Sequence, residues 1–316
     1  MTHAPRLLQL AATAAILLAI CLPAAGDYAG AFLEGGLGTR GPGMGNAFSA
    51  AVDDESAIYW NTARLTRIAG LHASASVHAL SLDRRRNSLA AAFNSRGGLA
   101  FGLAWIHASA GDLEARTGAG DPYGRIDDSE NAYFFALGIP LGEKLSAGAG
   151  VKILRHRIEV PQTGASTATG RGLDLHLHYS LSEKTALAAG LTGLGSRLRW
   201  TVLQASDQKN RSTEALPAGL SLGAAHRPAD GVLIGADFRL DPIAPTASLG
   251  GEWKVSPLLT VRAGLARTGA AGTVGTPTFG LTLRPMRIDS VQLHYAWVGD
   301  ELDAGPRTLI GVGAAF

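Results

Sequence analysis

Cysteine is almost missing from this sequence: Cys21 is the only one in 316 residues. It falls inside an N-terminal apolar run, so the chain beyond that run has no thiol for a disulfide, a cysteine zinc site or a thiol nucleophile. Long hydrophobic stretches are also missing after residue 26, which excludes a polytopic helical membrane protein, whose spans need about 20 apolar residues each. An excess of one charge is lacking too. The 28 basic and 26 acidic side chains give a formal net charge of +2, too little for a nucleic-acid footprint. No Pro/Ser-rich linker or shift in composition divides the chain, so one architectural unit is expected.

Residues 1–26 combine Arg6, the apolar run Leu10 to Leu22 and the small residues Pro23-Ala-Ala-Gly26, the three regions of a secretory signal peptide. A lipoprotein reading would acylate Cys21, but the bulky Ile20 precedes it where a small residue is expected. From about Leu71 onward the sequence alternates. In Leu173-Asp-Leu-His-Leu-His-Tyr-Ser-Leu181 every odd position is apolar or aromatic and every even one polar, and a period of two sends the two sets to opposite faces of a strand. The pattern returns around Tyr133–Leu141, Val232–Leu240, Leu259–Leu265 and Val291–Trp297. Glycine, 41 of 316 residues, stands well above the usual ~7%.

These segments predict an all-β chain: a transmembrane antiparallel β-barrel of about 14 strands, each near the ~9–11 residues that a tilted membrane strand needs. Short links alternate with longer ones at 111–129, 159–169, 204–214 and 299–305, which read as external loops. The polar faces give candidates for the lumen: Asp174, His176, His178, Asp237, Arg239, Glu252, Lys254, Arg262 and His294. The last strand ends on Phe316, and a terminal aromatic on an alternating strand resembles the signal read by barrel-assembly machinery. Arg84, Arg85 and Arg86 fall in a predicted external loop, where guanidinium forks match phosphate and lipopolysaccharide is a plausible partner.

The stretch from Gly35 to Leu65 does not alternate. With its surroundings, residues 27–70, it reads as a plug or hatch preceding a barrel of residues 71–316. Three motifs have plainer readings than their first impression. Gly36-Leu-Gly38-Thr-Arg-Gly41 has nucleotide-loop spacing, but no strand precedes it and Pro42 follows, so a glycine-rich turn is expected. His176 and His178 share a face and could hold a metal only with a third ligand; no carboxylate or cysteine cluster supplies one, and a solvated lumen lining is the expectation. Asp53-Asp54-Glu55 suits the start of a short helix. The serines and histidines suggest no strand–turn–helix nucleophile elbow, so the chain reads as non-enzymatic, with no metal or cofactor.

Gly38, Arg40, Met44, Gly45, Phe48, Asp53, Asp54, Tyr59, Trp60 and Asn61 resemble the N-terminal signature of the PorV/PorQ family, relatives of FadL-type fatty-acid transporters. In that family the segment ends Trp-Asn-Pro-Ala-Gly-Leu; here Thr62 and Arg64 replace Pro and Gly. Leu216-Pro217, Gly250-Gly-Glu-Trp253, Arg262-Ala-Gly264 and His294-Tyr-Ala-Trp297 extend the resemblance. It implies a plugged barrel in a Gram-negative-type outer membrane. Such a barrel would pass or shelter hydrophobic compounds or, alternatively, serve type IX-like secretion through loops near 111–129 and 204–214.

Overall fold

The computed structural model describes residues 30–81, 83–95, 98–162, 164–203, 209–240, 245–268, 275–286, 288, 290–299 and 305–316. The signal-peptide reading of residues 1–26 and the first three hatch residues lie outside them. No helix among the described residues is long and apolar enough to cross a membrane, which says nothing about strands.

The chain forms one closed antiparallel sheet. Its strands are β1 Gly70–Ala79, β2 Arg84–Asn94, β3 Ala100–Arg116, β4 Pro122–Pro140, β5 Leu145–Val160, β6 Gly164–Ser180, β7 Thr185–Leu203, β8 Lys209–Ala215, β9 Gly219–His226, β10 Val232–Leu240, β11 Thr246–Lys254, β12 Leu259–Thr268, β13 Thr276–Leu283, β14 Val291–Val298 and β15 Arg307–Ala315. Each pairs with the next in sequence except β8, and β15 closes on β1 with Val77 opposite Ile310. β8 and β9 both pair with β7, one above the other, so they make one position in the wall and the barrel counts fourteen.

Alternation dictates the two faces. Val77, Leu103, Phe135, Leu249 and Ile310, all at least half exposed, lie on the outside. Between them Ser76, Ala104, Phe134, Ser248 and Leu309 are buried on the inside. A closed barrel has no edge to pair and can leave an apolar outer band only where lipid covers it.

The wall is taller on one side. β3 to β7 run 16 to 19 residues, whereas β10 to β15 run 8 to 10. Most of the expected loop at 111–129 is therefore a hairpin of β3 and β4 turning at 117–121. Likewise 159–169 is mostly β5 and β6, and β8 begins at Lys209 inside the expected loop 204–214. Glycine and acidic residues disguised these extensions, because a strand that rises beyond the apolar band is wet on both faces and loses its pattern.

Two glycines mark the irregular part of the wall. Gly193 and Gly195 have φ of 72° and 65°, a left-handed geometry that glycine adopts at little cost, and they bulge β7 where its partner changes. Below the bulge Thr192 faces Gly219; above it Arg197 faces Ala215. Leu216, Pro217 and Ala218 span the gap, with the Leu216 amide donating to the Ser196 carbonyl at 3.1 Å. Pro217 has no N–H to offer, so the ladder is thin here.

Candidate functional site

The interior is occupied by the hatch. From Gly30 the chain runs through a 3₁₀ turn at Ala31–Leu33, helix α1 at Arg40–Gly43, helix α2 at Ala57–Trp60 and a 3₁₀ segment at Thr62–Arg67. Short elements fit a confined space. Leu37, Met44, Phe48, Val52, Ile58 and Leu65 are almost fully buried. Phe48, Tyr59 and Trp60 meet edge-to-face at 5.0 to 6.1 Å, packing worth about 0.5–1.5 kcal/mol per pair beyond burial. The Gly36–Gly41 motif is a seat for Trp60, whose ring occupies the space where side chains on Gly36 and Gly41 would go.

The barrel receives this segment with glycines of its own. A Cβ on Gly148 would strike the Thr62–Ala63 backbone, one on Gly235 the Ala47 carbonyl, one on Gly250 the Met44 carbonyl, and one on Gly264 the Met44–Gly45 peptide. Gly280 lies so close to Gly43 that a Cβ would sit 3.2 Å from its Cα. Backbone against backbone on β5 and on β10 to β13 holds the hatch from opposite sides of the wall.

Polar anchors complete the seat. Arg40 is the centre of one set, with Nη1 at 2.7 Å from Asp53 and 2.5 Å from Asp54, and Nη2 at 3.2 Å from Glu252. Arg262 donates to Glu252 at 2.6 Å and to Thr282 at 2.7 Å, and the Thr282 hydroxyl lies 2.8 Å from His294 Nδ1. Asp54 also accepts from the Ser56 amide at 3.0 Å. The acidic run stands just before α2, whose N-cap Ser56 makes no side-chain cap bond, and it joins an ion network. Burial pushes the Asp53 carboxyl up, but Arg40 more than offsets this and holds it below the usual range.

A cavity of about 250 Å³ lies between this network and the ends of β11 to β15 and β1. Glu55 borders it together with His72 and His294. Burial, then the neighbouring Asp54 charge, pushes Glu55 up to about 7.

On the opposite side His176 and His178 are 4% and 1% exposed, which corrects the expectation of a solvated lining. Thr62 Oγ1 lies 3.0 Å from His176 Nδ1, and Arg64 Nη1 lies 2.9 Å from His178 Nε2. Thr62 and Arg64 are the two residues at which the chain departs from the resembling family's motif. The histidines bind the departures. Arg64 Nε also donates to the Val52 carbonyl at 2.6 Å, and burial pulls its guanidinium down to about 10. Asn61 accepts from the Ala63 amide and donates to the Ser49 carbonyl, both at 3.1 Å.

The remaining sequence candidates divide. Asp237 faces inward and accepts from the Ser49 amide at 2.9 Å. Arg239 faces Glu34 at 3.6 Å. Asp174 pairs with Lys152 at 2.9 Å and accepts from the Gly193 amide at 2.7 Å, pinning the bulge. Lys254 lies opposite the inward Thr260, on the inner face, and is exposed because it ends β11. Arg84 to Arg86 belong to strand β2, not to a loop. Arg86 points inside, 2% exposed and 2.8 Å from His78 Nδ1, because its position matches the inward set Ser88 and Ala90. Phe316 is exposed, its backbone bonded to Leu71. Gly219-Leu-Ser221-Leu-Gly223 does have nucleophile-elbow spacing, but it lies within β9, where Ser221 faces the Gly190 carbonyl at 3.4 Å; a straight strand is no elbow.

Above the hatch, on the tall side, the inner face turns apolar. Ile106, Ala132, Phe134, Leu154, Ala168 and Leu198 are buried, with Tyr59 and Trp60 packed from below and Trp200 alongside. Sequence reading missed this layer because its members come from five strands. Leu216, at the thin part of the ladder, belongs to the same cluster. Over the layer the His156 ring lies 4.9 Å from that of Trp200, tilted at 60°, and bonds Asp128 at 2.7 Å.

Neither a family model nor a curated protein matches this sequence. Solved structures do. The chain is similar to the Pseudomonas putida toluene transporter TodX, with TM-score 0.66 and 14% identity over 89% of this chain and 99% of that one. It is similar to the Ralstonia pickettii toluene transporter TbuX, with TM-score 0.65 and 15% identity over 89% and 98%. A Pseudomonas aeruginosa FadL homologue matches with TM-score 0.64 and 13% identity over 88% and 98%. At such identity the likeness establishes the fold alone, a closed antiparallel barrel of fourteen strands.

Proposed function

We propose that this protein is an outer-membrane carrier of small hydrophobic compounds, exported by a cleaved signal peptide and non-enzymatic, that takes its cargo in at the tall rim and releases it sideways into the bilayer. The end bearing Phe316 is periplasmic in this reading, and the extensions of β3 to β7 stand outside the cell. The observation that carries the reading is the apolar layer formed by Ile106, Phe134, Leu154 and Leu198. It lies above a hatch seated backbone-to-backbone in the wall and beside Leu216, where the ladder is thin. A straight passage downward would have to displace the hatch and cross the ionic network around Arg40. A sideways step through the Gly193–Pro217 region needs only the loss of a few hydrogen bonds. The names of the similar structures, toluene transporters and a monoaromatic hydrocarbon channel, favour a compact apolar cargo. The secretion alternative relied on loops at 111–129 and 204–214, most of which are strand.

Uptake of labelled toluene and of a labelled long-chain fatty acid, compared between a deletion strain and the complemented strain, tests the reading. Loss of toluene uptake that returns with the parent gene, but not with an Ala132→Phe/Ala168→Phe variant of normal heat-modifiable gel mobility, is the expected result. Equal uptake with and without the gene for both compounds refutes it.

A further inference from the structure

On the outside of the tall wall the apolar run stops and arginine begins, strand by strand. Along β5 the outward residues Val151 and Ile153, 45% and 40% exposed, are followed by Arg155 and Arg157. On β6 the exposed Leu177, Leu175 and Leu173 give way to Arg171. On β7 Leu191 precedes the bulge, and Arg197 and Arg199 follow it; β8 adds Arg211. All six arginines are exposed.

The strand registers gather them. Arg171 lies directly opposite Arg197. Thr169 stands between Arg155 and Arg199, and Thr201 lies opposite Arg211. Neighbouring strands run about 4.8 Å apart, so four strands spread the cluster over roughly 15 Å. Arg157 is neutralised by Glu159 at 2.5 Å. Arg155, Arg171, Arg197, Arg199 and Arg211 make no ion pair or side-chain hydrogen bond among the described residues. Like charges facing each other across a ladder repel, and the positions between them carry threonine where carboxylates would have relieved the strain. Such a surface calls for an anion from outside the chain.

Height identifies the anion. From Leu181, at the turn after β6, to Arg171 is ten residues of chain. At about 3.3 Å per residue and a tilt of 35–45° this rises roughly 25 Å, the height of the apolar band of an outer-membrane barrel. The arginines therefore begin where the outer-leaflet headgroups lie. We propose that this face of β5 to β8 is a docking site for the phosphate groups of lipopolysaccharide, whose acyl chains then cover Leu173, Leu175, Leu177 and Leu191 below. Guanidinium forks engage phosphate bidentately, and the threonine hydroxyls supply further donors. This site replaces the one expected at Arg84 to Arg86, and it rests on the barrel and its orientation, not on any transported compound.

The test uses full-length protein purified from outer membranes in mild detergent, with co-purified lipid A measured by mass spectrometry. It is repeated in nanodiscs carrying either bisphosphorylated or dephosphorylated lipid A. The variant Arg155→Gln/Arg171→Gln/Arg197→Gln/Arg199→Gln should retain lipid A at roughly a tenth of the parent level or less, given the strength of charge-assisted phosphate contacts. An Arg84→Gln/Arg85→Gln control should retain as much as the parent. Dephosphorylated lipid A should be retained weakly by both. If the quadruple variant loses heat-modifiable mobility, the pair Arg171→Gln/Arg197→Gln replaces it and should lose at least half the lipid. Equal retention by parent and folded variant overturns the proposal, as does equal retention of dephosphorylated lipid A. Displacement by millimolar inorganic phosphate alone also overturns it, since the site would then take a free anion.

Discussion

Replacing Glu55 by glutamine should remove a pH dependence built into the hatch. Glu55 is 8% exposed. The charged and titratable groups around it are Asp54 and Arg40 on the hatch, His72 on β1 at 4.0 Å and His294 on β14, with Ser74 as hydrogen-bond partner. Burial, with Asp54 next, raises its carboxyl from 4.5 to about 7. Between those two values the folded state holds a proton that the unfolded segment releases, so hatch stability is greatest below the lower value and falls as pH rises through the window. At about 1.4 kcal/mol per pKa unit, the full loss above the upper value is on the order of 3 kcal/mol. Amide exchange of residues 50–65 in detergent, corrected for intrinsic rates, measures this. Protection in the parent should drop roughly a hundredfold between about pH 5 and pH 8, while Glu55→Gln stays flat and matches the parent at the acid end. Flat protection in the parent, or an equal drop in Glu55→Gln, refutes the reasoning.

Two other perturbations address the seat. Arg40→Met leaves Asp54 and Glu252 poorly compensated inside the barrel, while Asp53, with its side chain 42% exposed, contributes little. The hatch should lose about 3 kcal/mol, the lower end for a broken buried pair, read by proteolysis of residues 35–65 with the barrel intact. Unchanged proteolysis would mean that the glycine seat alone holds the segment. Gly264→Val drives a side chain into the Met44–Gly45 peptide and should cost up to about 3 kcal/mol as overpacking. It should give steady ion conductance in planar bilayers where the parent gives none; a silent variant of normal mobility counts against close packing as the seal.

How much of this was legible in the sequence follows from the range of the interactions. Period-two alternation is local, so Leu173 to Leu181 disclosed both a strand and its faces. The inward set Asp174, His176 and His178 could be named from residues a few places apart. What those side chains meet could not. Thr62 meets His176 and Arg64 meets His178 across 114 positions of sequence, and only the folded barrel makes them neighbours. Arg86 was misplaced for a different reason: three consecutive arginines look like a solvated tip, yet a strand sends alternate members to opposite faces. The apolar layer was invisible because β3 to β7 each contribute only one or two residues to it, too few to alter the composition of any strand.

The glycine seat and the thin stretch of ladder bear on the same question, which part of the wall moves. A hatch held by side chains alone could slide, since rotamers adjust in small steps. One held by Gly148, Gly235, Gly250 and Gly264 against peptide groups meets rigid backbone on opposite sides and has no smaller step available than leaving altogether. On the side of β8 and β9 the stretch from Gly193 to Ser196 faces Leu216, Pro217 and Ala218. It combines two left-handed glycines, a proline without a donor and a single amide bond to Ser196. Local opening concentrates where few hydrogen bonds must break, so the proposed route places motion in the wall and not in the hatch. Asp174 then acquires a definite role in the proposed route. Its carboxylate holds the Gly193 amide and the Lys152 ammonium together, which ties the bulge to β5 and β6, so on that route opening has to break both contacts.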